Sequence, residues 1–367
     1  MRNPLKTVDF LLLKEFLSAL LFIFSLFAVI GFVLVLFDDL DVILDHEASF
    51  SLGLAYVLLR LPHTVVKATP IVVILSMVIS VGNMVRHNEI LMLYIAGYKP
   101  LRLCIPLAIL LSWFIVLLFF ANEYICGPFA GRAQMLMITQ IKKSGHGLSG
   151  QTGIWLYGEG DRIYRARAFF PESQKIGGLT IFEFKGPNRT LSARLDAESA
   201  EMNMRVGGWT LHQVVSRHIK EDGSVKREKF DEYPYFIEHS PEDFSRYTLN
   251  TEQMSHGELS QLVDTFRSAG ENPRIYLPDL RIKEAFPFAA FFLGMLGFCI
   301  ALRLGKSGHA SGIGLGLLAA IGYFLALSLG RSLAQVGILS PWLSAWLPNV
   351  LCIIPTLHEL YKIKEEI

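Results

Sequence analysis

Charge is what this chain has least of. Only 18% of its 367 residues are charged and 52% are hydrophobic, with a mean hydropathy of +0.40. Soluble domains carry about 25% charged residues, so apolar surface on this scale needs lipid as its solvent. Neither sign dominates. The net charge is +1, and no basic block or RNA-type aromatic motif occurs, which excludes nucleic acid as a partner. Cysteine is scarce as well: Cys104, Cys299 and Cys352 fall inside apolar runs, and only Cys126 lies near the polar middle of the chain. No disulfide can form within that middle segment.

Catalytic constellations are missing too. The histidines form no His-x-x-x-His pattern, and neither Cys-x-x-Cys nor Gly-x-Ser-x-Gly occurs. Gly305-Lys306-Ser307 resembles the end of a phosphate loop, but position 300 is Ile where that motif needs its first glycine. Arg303 and Lys306 are better read as anchors for a short loop. No acidic residue or histidine lies deep within an apolar run, which lowers the reading as an ion-driven carrier. The chain is therefore expected to be no enzyme and to bind no metal or cofactor; any work it does must draw on a partner or an ion gradient, and the partner is the favoured of the two.

What is present is a set of long apolar runs. A membrane-spanning helix needs about 20 mostly apolar residues. Such runs occur at Phe16–Phe37, Thr69–Val85, Leu103–Ala121, Ala285–Leu302, Gly312–Leu329 and Pro341–Leu357. The first is too long for a signal-peptide core and no cleavage site follows it, so it reads as retained. A lead-in from Leu52, interrupted by Pro62, His63 and Lys67, is expected to lie at the interface or to enter obliquely. The fold expected is membrane α-helical, with six transmembrane helices split by an inserted all-β domain. The expected boundaries are 1–122, 123–280 and 281–367.

Lysine and arginine in short loops set orientation. Arg2, Lys6 and Lys14 precede the first run; Arg86, Lys99 and Arg102 separate the second and third; Arg303 and Lys306 separate the fourth and fifth; Lys362 and Lys364 follow the sixth. On the other side, residues 38–51 hold Asp38, Asp39, Asp41, Asp45 and Glu47 with no Lys or Arg, and the last such loop holds only Arg331. Both termini are expected in the cytoplasm and the insert in the periplasm.

The insert alternates apolar and polar residues over 153–157, 162–168, 179–184 and 208–215, with turn signals at 185–188 and 221–224. That spacing predicts a sandwich, jelly roll or partial barrel. Period 2 puts Phe182 and Phe184 on one face, and the inner face is expected to carry Trp155, Tyr164, Phe182 and Phe184. Such a face is either a closed core or an open groove for an acyl chain. Apolar residues at 259, 262, 263 and 266 predict a helix with Ser255 as N-cap and Gly270 as stop, lying near the membrane surface.

Two features point to partners. After the second run, Asn88 reads as an N-cap, Glu89 as a first-turn anion and Gly97 as a stop, around a short helix whose body, Ile90 to Ile95, is almost wholly apolar. It must pack on its own spans or on another protein, and Glu89 is either a capping carboxylate or a contact with a cytoplasmic motor subunit. In the fifth run, Gly312, Gly316 and Ala320, then Gly322, Ala326 and Gly330, recur every four residues and permit close helix approach. They serve packing within the chain or a movable interface with a second subunit.

Together these features resemble the LptF/LptG family, the permease subunits of the lipopolysaccharide export ABC transporter. The likeness rests on Asn88-Glu89-Ile with Ala96-Gly97, on Gly150-Gln-Thr-Gly-Ile-Trp and Gly178-Leu-Thr-Ile-Phe, and on the ending from Gly337-Ile-Leu-Ser-Pro-Trp to Asn349. Gly208-Trp-Thr-Leu is more similar to the LptG branch. The resemblance implies an LptF-like second permease, and an LptB-like ATPase dimer that binds the ATP and magnesium. It also implies LptC-like and LptA-like periplasmic bridge proteins, with lipopolysaccharide as cargo taken from the inner membrane. It further implies that Asn88, Glu89, Ala96 and Gly97 belong to a coupling helix, that Arg132 faces the anionic head group, and that the first and fifth spans form lateral gates. The acidic Asp38, Asp39 and Asp41 depart from the lysines common in the LptG branch. Either the lipid is less anionic, or a divalent cation bridges, or the partner supplies the positive charge. Two rival readings are a membrane-anchored periplasmic interaction module without an ATPase, and a mechanotransmission protein, whose usual four spans disagree with six.

Overall fold

The computed structural model describes residues 4–45, 49–137, 148–150, 153–158, 162–170, 173–185, 190–203, 208–219, 224–239, 244, 251, 254–268, 272–304 and 308–365. Gly305-Lys306-Ser307, Gln151 and Thr152, Gly270, and most of the turns at 185–188 and 221–224 lie outside them. The chain divides into two compact units, one of residues 1–38, 60–129 and 274–367, the other of residues 39–59 and 130–273.

The helices are α1 (Pro4–Asp45), α2 (Phe50–Arg86), α3 (Glu89–Ile95), α4 (Pro100–Ala121), α5 (Gly127–Leu136), α6 (His256–Ser268), α7 (Leu277–Ala285), α8 (Pro287–Leu304), α9 (His309–Val336) and α10 (Pro341–Glu365). Among the described residues, five segments are long and apolar enough to cross a membrane: Thr7–Asp41, Phe50–Arg86, Pro100–Ala133, Pro287–Leu304 and Ala310–Val336. The sixth run forms the 25-residue α10, whose interior Ser344, Asn349 and Thr356 make it more polar than those five.

Two helices run on where breaks were expected. The lead-in from Leu52 is the first part of α2, continuous with the apolar run that follows, and Pro62 and Pro70 lie inside that helix. A proline removes one backbone hydrogen bond and kinks a helix; a long helix packed on its neighbours survives that loss. Likewise Asp38, Asp39 and Asp41 extend α1 rather than forming a loop. Within the second unit, Tyr56 donates to Asp39 at 3.1 Å.

The core of the helical unit explains which face of each helix is covered. Leu12, Phe16, Leu20 and Ile23 recur at helical spacing on α1 and are buried beside Val72, Met77 and Val81 of α2, Leu107 and Leu111 of α4, and Phe298 of α8. Much of the remaining surface of α1 is apolar yet uncovered, with Phe10, Phe22, Val29 and Phe37 all exposed. Gly297 lets α8 approach α2 closely: a Cβ there would stand 3.0 Å from the Ile74 carbonyl oxygen.

Among its described residues the β unit holds seven strands: β1 (Leu148–Gly150), β2 (Gly153–Gly158), β3 (Arg162–Phe170), β4 (Lys175–Lys185), β5 (Thr190–Asn203), β6 (Gly208–Ile219) and β7 (Val225–Tyr235). They form one antiparallel sheet in the order β1-β2-β3-β4-β5-β6-β7. Among the described residues this is a meander, not the crossing order of a two-sheet jelly roll, because each strand pairs with its neighbour in sequence. Three strands carried no clear sequence signal. β1 has three residues, β5 is rich in Ala and Glu, and β7 reads Val-Lys-Arg-Glu-Lys-Phe-Asp-Glu, as suits a charged edge.

The predicted amphipathic helix exists as α6. Ser255 Oγ accepts from the Glu258 N–H at 3.2 Å, and the Ser255 N–H donates to the Glu258 carboxylate at 2.8 Å, a reciprocal capping box. Its apolar stripe is taken up inside the β unit. Leu259, Leu262, Val263 and Phe266 are all buried, and the Phe266 ring meets Phe170 of β3 edge to face at 4.4 Å. The apolar face is covered by the sheet.

Candidate functional site

The segment joining α2 to α4 is built as a tight hook. Asn88 has φ 65°, and its side chain makes no capping hydrogen bond. It therefore holds the N-cap position as the left-handed turn residue between α2 and α3, a conformation asparagine tolerates, without the side-chain cap expected of it. Gly97 (φ +88°) follows the helix, and backbone bonds from Gly97 to Tyr94 and from Tyr98 to Leu93, both 2.9 Å, close its end. Glu89 begins α3 and Ala96 caps it. Ile90 is buried, and Leu93 and Tyr94 pack on the core of the helical unit. The opposite face presents Leu91, Met92 and Ile95, the last 79% exposed. The result is a seven-residue helix, anchored on one side and apolar on the other.

On α9 the two small-residue ladders face different surroundings. A Cβ on Gly312 would meet Val78 of α2 at 3.2 Å, one on Gly316 would meet Val78 at 3.4 Å, and Ala320 is fully buried. On the second ladder Gly330 lies against the backbone of Ser344 in α10, Ala326 is half-buried, and Gly322 opens onto empty space. Leu318, Leu325 and Leu329 of the same helix are exposed. Arg132 is exposed on α5.

A polar cluster that periodicity did not reveal joins α7 to the ends of α9 and α10. Arg331 donates from Nη2 to Asp279 at 2.8 Å, the two forming an ion pair whose closest approach is 2.5 Å from Nε, and Asp279 is only 7% exposed. Lys283 is buried on the same helix. Arg274 donates to the carbonyl of Val336, Gln335 donates to Ile275 at 3.4 Å, and the buried Asn349 donates to Ala285 at 3.0 Å. Arg331 reads in sequence as a loop residue, so only its being the lone basic residue of that loop marked it. At other helix ends Arg102 pairs with Asp9 at 2.8 Å, and Arg303 pairs with Glu359.

The four aromatics expected to share the inner face of the sheet do not. Leu156, Tyr164, Ile181, Leu195 and Ser216 lie in register across β2 to β6 and are all buried. Burial pushes the Tyr164 phenol up to about 12. Trp155 and Phe182 occupy the rows that alternate with this one, on the opposite face, half-exposed and stacked at 6.0 Å. Phe184, two residues from Phe182, lies beside a bulge between Glu183 and Phe184. The face that carries Tyr164 is a closed apolar cluster with Trp209, Leu211 and Phe244.

Long apolar helices interrupted in sequence by an antiparallel β domain define the chain as a multi-pass membrane protein with an inserted β domain. The model of the family described as lipopolysaccharide export system permease LptF/LptG matches residues 11–362. The chain belongs to that family of export permeases, which are transporter subunits and not catalysts. No curated protein matches it.

Proposed function

We infer that the chain is the non-hydrolytic permease subunit of an ATP-driven transporter. It extracts lipopolysaccharide from the inner membrane and passes it to a periplasmic bridge for delivery outward. The observation that carries the reading, beyond family membership, is α3. An anchored helix that exposes Leu91, Met92 and Ile95 to water is a surface that needs a protein cover. Lys and Arg in the flanking short loops support a cytoplasmic position for that surface, where an LptB-like ATPase dimer would bind ATP and magnesium and push on it through Glu89. In this reading α10, at 25 residues or about 37 Å, is the sixth span. Both termini are cytoplasmic and the sheet is periplasmic, facing LptC-like and LptA-like bridge proteins. The uncovered apolar faces of α1 and α9 are where an LptF-like partner would complete the cavity, and Arg132 is the residue proposed to meet the anionic head group.

Native mass spectrometry of the tagged chain, gently extracted from its host membrane, tests the assembly. The expected particle contains a second permease, two ATPase copies and a bound glycolipid. A lone chain or a homodimer, persisting in progressively milder detergents, would overturn the reading in favour of a membrane-anchored interaction module.

A further inference from the structure

The sheet register brings together a group of cations that no function discussed above uses. On the face turned away from the buried cluster, one row aligns Trp155, Arg165, Thr180, Asp196, Val215 and Lys229. The adjacent row on that face aligns Ile163, Phe182, Arg194, Arg217 and Arg227. These two rows set Arg165, Arg194, Arg217, Arg227 and Lys229 against the one carboxylate of Asp196. From β3 to β7 they extend roughly 19 Å at the usual strand spacing. In a chain whose net charge is +1, that is a strong local excess.

The guanidinium groups are held in place. Arg194 donates to Asp196 from two nitrogens at 3.1 and 2.9 Å, Arg217 donates to the other Asp196 oxygen, and Thr180 supports the same carboxylate at 3.0 Å. Arg194 also lies over the Phe182 ring at 5.6 Å and Arg165 over Trp155 at 5.3 Å, while the two rings stack within 7° of parallel. Guanidinium groups fixed this way lose little further entropy when they bind, and their planar fork suits phosphate.

The same face changes sign a few residues away. The ladders joining β3 to β7 all skip the row Arg167, Gly178, Glu198, Gln213 and Asp231, where Gly178 and Gln213 take positive φ of 64° and 51°. Past it stand Glu201, paired with Lys175 at 3.0 Å, and the exposed Glu232. An anionic ligand would be repelled there and confined to the basic rows.

We propose that these rows form a binding site for a multiply phosphorylated saccharide, its phosphates on the arginines and the apolar face of a sugar ring on Trp155 and Phe182. A ligand with two or more separated anions fits cations spread over this distance, and the flat aromatic pair between them favours a sugar over a bare polyanion. The site deepens the transport reading by giving the head group a contact on the β domain.

Calorimetric titration of the full-length chain in detergent tests it, with an acyl-free glucosamine disaccharide bisphosphate as probe. Wild type is expected to bind this probe and not the unphosphorylated disaccharide. The double substitution Arg165→Glu/Arg227→Glu is expected to weaken binding at least about tenfold. Arg227→Gln/Lys229→Gln, on the exposed edge strand, should weaken it less, with an unchanged far-UV spectrum in both variants. Equal affinity in wild type and variants, or equal binding of the unphosphorylated sugar, overturns the proposal. Equal binding of polyglutamate overturns it in favour of an acidic protein partner. Tight, variant-sensitive binding in a complex that carries no glycolipid keeps this site and removes the transport reading instead.

Discussion

At the scale of single residues, the decisive contacts are polar groups in apolar surroundings. Asp279 is buried and its carboxylate is satisfied by Arg331. Removing one partner of such a pair leaves a desolvated charge, at a cost of about 3–5 kcal/mol. Arg331→Ala should therefore lower the thermal midpoint of the detergent-solubilised chain markedly, the one-third exposed arginine placing the loss at the lower end. The exchange Asp279→Arg/Arg331→Asp should recover much of it, and a double variant no better than the single would deny the pair its role. Gly337 is constrained twice over: its φ is +85°, and a Cβ would collide with the Arg274 guanidinium. In the sheet, burial alone would raise the Asp196 carboxyl, but hydrogen bonds from Arg194, Thr180 and Arg217 prevail and hold it below the usual carboxylate range. A depressed folded pKa contributes stability above the unfolded value of about 4. That contribution is lost as pH falls through the lower folded value. Asp196→Asn should thus reduce thermal stability at pH 7, with the difference from wild type closing as the pH is lowered through 4 and below.

At the scale of elements, local signals were legible wherever a residue pattern and its tertiary setting agreed. Helix α6 is the clearest case. Ser255 and Glu258 cap each other as their spacing requires, and Ser255→Ala should cost about 1 kcal/mol, measurable as an earlier loss of helix signal on heating. What periodicity left open was the surface its apolar stripe would cover, and that proved to be Phe170 and its neighbours on the sheet. The strands show the opposite failure. β5 has the alanine and glutamate content of a helix, yet Ala193, Leu195 and Ala197 alternate into the core because β4 and β6 flank it. Asn88 does hold the N-cap position, but asparagine serves side-chain caps and left-handed turns alike, and only the chain reversal after α2 selects the turn. On α3 the exposed apolar face makes a functional prediction. Glu89→Lys should uncouple ATP hydrolysis from lipid export in reconstituted vesicles while the complex still assembles; unchanged export would remove Glu89 from the coupling step.

At the scale of the whole molecule, the sequence by itself determined that this is a membrane protein with a β insert, and it pointed to the family. Long apolar runs have no stable place in water, and alternation with turn residues has none in a single helix, so these conclusions need no knowledge of which residues meet. The assignment of residues to faces is different, because it depends on register and on neighbours distant in the chain. Trp155 and Tyr164 looked equivalent as strand aromatics, but pairing across β2 and β3 sends Tyr164 into the closed cluster and Trp155 to the open face beside Arg165. The glycines of α9 looked equivalent too, until Gly316 met Val78 and Gly322 met nothing. Asp279 and Arg331 stand 52 positions apart, and no spacing rule links them. Only the tertiary structure decided these, since a side chain's role follows from what closes around it, and distant segments of the chain do the closing.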